Sequence, residues 1–123
     1  MLKEFKNLYQ RPGERHRRCF TDDTFELYFF YEPGGSIHSF HLLYLFKDNP
    51  MRALLWSVED GYRHCAVDDG EADAFTYGMA RLFTGTQTQF DKQAVLARFE
   101  DQSKNLETGL REFVLKRLQA YFT

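Results

Sequence analysis

Phe25-Glu26-Leu27-Tyr28-Phe29-Phe30-Tyr31-Glu32-Pro33-Gly34-Gly35-Ser36-Ile37-His38-Ser39-Phe40-His41-Leu42-Leu43-Tyr44-Leu45-Phe46 is the stretch whose reading decides the fold. Two runs rich in aromatic and aliphatic residues flank a glycine pair, and glycine is the residue that reaches positive φ in a tight strand reversal. With Gly34-Gly35 at the centre of a two-residue turn, Tyr31 opposes His38, Phe29 opposes Phe40, Leu27 opposes Leu42 and Phe25 opposes Tyr44. The apolar side chains then fall on one face. A slip of one residue would send the second strand's apolar set to the other face, so the match argues for this register.

The pattern extends in both directions. After the break at Asp48-Asn49-Pro50, the alignment that opposes Leu42 to Trp56 also opposes Phe40 to Val58 and Tyr44 to Leu54. Asp60-Gly61 reads as a further two-residue turn, pairing Glu59 with Tyr62, Ser57 with His64, Trp56 with Cys65 and Leu54 with Val67. The expectation is a four-stranded antiparallel meander over 24–68, five-stranded if 17–21 adds a charged edge strand. Its first face carries the stripe from Phe25 to Tyr44 together with Leu54, Trp56, Cys65 and Val67. Its second face is also apolar, through Phe30, Ile37, Leu43, Leu45, Leu55 and Ala66, so both faces need cover.

Helical spacing flanks the strands. Leu2, Phe5, Leu8 and Tyr9 predict an N-terminal helix ended by Arg11-Pro12-Gly13. Ala72, Phe75, Met79, Leu82 and Phe83 predict another, stopped by Gly85, and Phe90, Ala94, Val95 and Phe99 a third. A last helix runs from Leu106 to Phe122 behind Ser103-Lys104-Asn105, with Glu107 to Arg111 and Glu112 to Lys116 as i, i+4 pairs. The expected architecture is therefore one α+β domain over 1–123: an antiparallel four- to five-stranded β-meander (about 17–68), an N-terminal helix, and two or three C-terminal helices packed on the sheet.

Composition narrows the function classes. Hydrophobic residues at 43% and charged residues at 28% exclude a disordered or low-complexity chain. A formal net charge of −2 supplies no global field toward nucleic acid or anionic lipid. The opening residues lack the apolar core of a secretory leader, and Lys47 and Asp48 interrupt the richest apolar run, so the expected setting is cytoplasmic without a membrane span. There Cys19 and Cys65 read as small buried thiols rather than a disulfide. Phe, Tyr and Trp reach 17%, enough to fill a core and part of a surface.

The proposed registers bring Tyr28, His41, Ser57 and His64 into one row on the second sheet face. Histidine titrates near neutrality, so such a row suits ligand binding or acid–base chemistry, although no carboxylate orients it. Two histidines fall short of a zinc set, and 68–73 departs from a calcium loop and reads as a helix cap, so no metal and no cofactor is assigned. Arg15, Arg17 and Arg18 with His16 form the one basic cluster, a nucleic-acid candidate through phosphate contacts. No P-loop, nucleophile elbow or catalytic cysteine motif occurs.

The stretch Arg17-Arg18-Cys19-Phe20-Thr21-Asp22-Asp23, with Phe25, Leu27 and Tyr31, and the later Val67-Asp68-Asp69-Gly70-Glu71, resembles a group of short bacterial proteins of unknown function. The resemblance covers residues 15–75 and implies a strand-rich front half and a bacterial, cytosolic origin; it implies no activity. The leading expectation is a non-enzymatic binding or interaction protein, self-associating as a homodimer through an aromatic-rich sheet face. The alternative is a small ligand-binding protein or enzyme using the Tyr28, His41, Ser57, His64 row. A third is a weak nucleic-acid binder acting through the arginines at 15, 17 and 18.

Overall fold

The computed structural model describes residues 1–47, 49–68, 82–85 and 89–121. Among them, strands β1 (Lys3–Glu4), β2 (His16–Thr21), β3 (Phe25–Tyr31), β4 (Ile37–Tyr44), β5 (Arg52–Ser57), β6 (Gly61–Asp68) and β7 (Leu82–Thr84) precede helices α1 (Lys92–Gln102) and α2 (Thr108–Ala120). The strands form one antiparallel sheet in chain order, each beside its sequence neighbours.

The α+β class and the meander stand, but several expected elements are corrected. The sheet has seven strands among the described residues rather than four or five, and β2 lies inside it between β1 and β3. No N-terminal helix forms: Lys3 and Glu4 pair with Thr21 and Phe20, while Leu2 inserts into the core. A helix of under about 12 residues is marginal in water, and the β2 edge offers its backbone better partners. Phe5 continues that pairing by donating its amide to the Cys19 carbonyl at 2.8 Å. Of the helix expected over 72–83, residues 72–81 lie outside the described residues, and Leu82 and Phe83 belong to β7. Among the described residues there are two helices, and the last starts at Thr108.

The first hairpin keeps the expected register by an unexpected route. Phe25 opposes Tyr44, Leu27 opposes Leu42 and Phe29 opposes Phe40, but Tyr31 opposes Ile37 rather than His38. The loop is Pro33-Gly34-Gly35, closed by Gly35 donating to the Glu32 carbonyl and by Glu32 donating to that of Ser36, both at 2.8 Å. Proline has no N–H, so Pro33 cannot make the closing pair of a two-residue turn. The extra loop residue is absorbed by a bulge at Phe30/Tyr31, beyond which the register is the expected one.

The next two junctions shift. Strands β4 and β5 pair Phe40 with Trp56 and Leu42 with Leu54, two residues from expectation, which leaves every side chain on its expected face. Strands β5 and β6 pair Leu54 with His64, Ala53 with Cys65 and Trp56 with Tyr62, three residues from expectation. An odd shift reverses the faces. Tyr62 and His64 therefore join Trp56 and Leu54, whereas Cys65 and Val67 pack on the second face with Cys19, Tyr28, Leu43 and Ala53.

Both helices cover the first face. Val95 and Phe99 of α1 and Leu110, Val114 and Leu118 of α2 meet Leu27, Phe29, Phe40, Leu42 and Leu54 in one cluster. Phe25, Phe29, Phe40 and Phe99 are each at most 1% exposed, and burying a phenyl ring contributes about 2 to 3 kcal/mol. The aromatic excess is thus spent largely inside: Phe25 meets Phe99 edge-on at 5.7 Å, and Phe113 meets Trp56 edge-on at 5.3 Å.

Polar ties fix the layers. Asp91 caps α1 by accepting the Ala94 amide at 3.1 Å. Asp22 accepts the amides of Thr24 and Phe25, both at 2.8 Å, and its second oxygen accepts from Gln102, which joins the β2–β3 turn to α1. Leu2 donates its amide to the Gln102 carbonyl at 3.0 Å, tying β1 to the end of α1. The expected Glu107 to Arg111 pair gives way to Glu107 with Arg18 at 3.1 Å, while Arg111 donates to Ser103 Oγ at 3.0 Å.

Cys19 and Cys65 are buried free thiols on β2 and β6. Four strand spacings separate them, roughly 19 Å, far beyond disulfide reach.

A candidate ligand cleft on the second sheet face

The expected histidine row divides. Tyr28 and His41 are paired on the second face, in a row that continues to Leu55 and Arg63 rather than to Ser57 and His64. Ser57 shares that face one row away, opposite Ser39. His64 lies on the first face, 2% exposed, because of the three-residue shift between β5 and β6. It stacks parallel to Tyr44 with Oη 2.6 Å from its Nε2, and Phe90 closes over it at 4.9 Å. That pair is a hydrogen bond within the core, and its desolvation raises the Tyr44 phenol well above the ordinary range.

The basic cluster divides as well, because neighbours along a strand point to opposite faces. Arg18, on the first face opposite Phe29, donates to both oxygens of Glu4 at 2.9 Å and reaches Glu107 at 3.1 Å. These carboxylates hold its charge firmly, and the Arg18 guanidinium in turn holds the Glu4 carboxyl below its usual value. Arg17 faces the other way, is buried, and donates to the Tyr9 carbonyl. Gln10 completes the hold by accepting the Arg17 amide at 2.9 Å and donating to its carbonyl at 2.7 Å. Arg15 precedes the strand and meets Glu59 at 3.8 Å with both side chains largely exposed.

Arg15, Arg17 and His41 do converge, on an open cleft of about 670 Å³ lined also by Gly13, Glu14, Phe30, Pro33, His38 and Ser39. Its floor is the row in which Arg17 opposes Phe30 and Phe30 opposes Ser39, its rim is the loop before β2, and its far wall is β4. The volume falls within the ordinary range for small-molecule sites.

His41 stands in this wall between two rings, 4.6 Å from Phe30 and edge-on to Phe83 at 5.2 Å. Loss of water around it lowers its pKa from 6.5 to about 4. The ring is therefore neutral at pH 7 and offers one donor and one acceptor. Among the described residues no group hydrogen-bonds it.

His38 was expected opposite Tyr31; the bulge instead leaves it lining the cleft. Its Nε2 lies 2.8 Å from Glu59 and its Nδ1 3.0 Å from Ser39 Oγ. In the neutral ring Nε2–H donates to the ionised Glu59, and Nδ1 accepts the Ser39 hydroxyl proton. The bond to His38 holds the Glu59 carboxyl below its usual range. This Ser39–His38–Glu59 connectivity is that of a nucleophile, base and orienting acid. Two features set it apart from such relays. Ser39 is the next residue along the chain, so its bond to His38 closes a small local ring at the bulge; Glu59 is 65% exposed, so water competes for the orienting carboxylate.

No group of three or more metal-ligating side chains occurs among the described residues, nor does any helix there have the length and apolarity to cross a membrane. The chain matches no family profile, no curated protein and no solved structure.

Proposed function

We propose that this chain is a non-enzymatic binding protein whose ligand seat is the cleft between the loop before β2 and strand β4. The carrying observation is His41: a half-buried, neutral imidazole on the wall of a cleft of about 670 Å³, set between Phe30 and Phe83, with no described hydrogen-bond partner. Its ring nitrogens are not sealed from solvent, so water bonds them when no ligand is bound, and a ligand with complementary donor and acceptor groups takes over those bonds while covering the two rings. A cytosolic setting, with its bacterial origin, belongs to the same reading, which the two separated thiols suit. Self-association belongs to it as well, through the partly buried strip of Phe30, Leu55, Val67 and Phe83 on this face. The nucleic-acid reading is not carried forward, because Arg18 is committed to Glu4 and Glu107 on the opposite face.

Amide-shift NMR with a fragment set tests the proposal. Binders are expected to move the amides of Phe30, Ser39 and His41, and to be lost in His41→Phe, which keeps a ring and removes the polar atoms. Binders that ignore these amides, or that survive the substitution, overturn it. Sedimentation over a hundredfold concentration range tests self-association, and a constant monomer mass removes that part.

A further inference from the structure

We propose that the cleft selects a flat aromatic carboxylate, whose ring lies along Phe30, Pro33 and His41 while its carboxylate is held by Arg15. The inference rests on the cleft being the ligand seat and adds the class of ligand. Its apolar wall consists of three rings, a phenyl, a proline and an imidazole, with Phe30 and His41 4.6 Å apart and tilted by 52° to each other. A planar ligand stacks on one such ring while meeting the next edge-on, a contact that a branched one does not make.

The charge at the rim singles out Arg15. Among the described residues its guanidinium makes no hydrogen bond, and its one ion pair, to Glu59, is loose at 3.8 Å. Glu59 is itself held at 2.8 Å by His38. The acidic residue of the lining, Glu14, is met by Arg11 at 3.9 Å. Arg15 is therefore the rim cation with donors in reserve, and a guanidinium binds a carboxylate through two parallel hydrogen bonds that neither a neutral amide nor an alcohol reproduces. His41, neutral and ringed by phenyl groups, favours an uncharged ring edge, which places the anionic end of the ligand at the rim.

The test compares 2-naphthoate with 2-naphthamide, matched in shape and differing in charge, by amide-shift titration of the full chain and of Arg15→Gln. Naphthoate is expected to move the Phe30, Ser39 and His41 amides and to bind about five- to tenfold more weakly to Arg15→Gln, the scale of one charge-assisted contact at an exposed site. Naphthamide is expected to bind more weakly and to ignore the substitution. Equal binding of the two probes at these amides, unaffected by Arg15→Gln, overturns the carboxylate assignment and leaves the cleft as a neutral-ligand seat. If both probes leave these amides unmoved, the assignment falls too; fragments that still bind there would keep the cleft reading, and none binding would remove it. Arg15 is largely exposed outside the strands, so its substitution leaves the fold intact for every arm.

Discussion

Acid should destabilise this protein through His41, and His41→Phe should remove that part of the effect. Burial beside Phe30 and Phe83 lowers the folded-state pKa to about 4, against 6.5 for the ordinary side chain. Between those values the unfolded chain binds a proton that the folded chain refuses, so stability falls as pH drops through the window and rises as pH climbs back. The contribution is negligible above about pH 7.5, costs about 2 kcal/mol by pH 5, and levels off near about 3 kcal/mol below pH 4. Phenylalanine fills the same space between the two rings and has no proton to bind. Urea unfolding of both proteins at pH 7.5 and pH 5 isolates the effect, because carboxylates with depressed values, Glu4 and Glu59, act equally in the two. The wild-type chain should lose about 2 kcal/mol more than the variant over that interval. Equal losses would mean that His41 is fully hydrated in the folded state, and the account of the cleft wall would go with it.

Other substitutions probe separate joints. Tyr44→Phe keeps the stacked ring and deletes the 2.6 Å bond to His64; it should cost about 1 to 2 kcal/mol in urea unfolding, and no change would mean that water replaces the hydroxyl. Arg18→Met removes the tie between β1, β2 and the start of α2; a loss of about 1 to 2 kcal/mol that shrinks in high salt is expected, and a salt-independent loss would point to packing instead. A binding protein should hydrolyse p-nitrophenyl acetate no faster than its Ser39→Ala variant, and a Ser39-dependent burst would convert the Ser39–His38–Glu59 contacts into a working relay.

The centre of the fold was legible because Phe25 to Tyr44 alternates strongly enough to specify one register. The bulge was legible in principle too, since Pro33 lacks the N–H that a two-residue turn at Gly34-Gly35 requires. Reading that absence would have moved His38 away from Tyr31 and toward the cleft. The failure at β5–β6 has a different cause. Gly61 does supply positive φ, at +70°, but after the turn of Val58, Glu59 and Asp60 rather than at its centre. The local signal was Ser57, whose hydroxyl accepts the Asp60 amide at 3.0 Å and draws the turn back. Hydrophobicity argued the wrong way there. Cys65 and Val67 look better suited to a core than Tyr62 and His64, yet this sheet carries an apolar cluster on each face, so both assignments bury grease. The N-terminal helix failed because spacing over eight residues carries less weight than an open strand edge. The cleft itself joins a loop, three strands and a bulge, a convergence that no local motif announces.

The chain-order sheet has a consequence for biosynthesis. Strands β2 to β6 are complete by Asp68, whereas among the described residues the helices that cover Phe29, Phe40 and Leu42 begin only at Lys92. On the ribosome, at some 5 to 20 residues per second, the growing sheet therefore stays bare on its greasiest side for one to several seconds. Its neighbour-to-neighbour hairpins close quickly, which lengthens that naked interval rather than shortening it. Output of well-behaved material should thus depend on slow translation temperature and chaperone supply more than on the stability of the finished molecule.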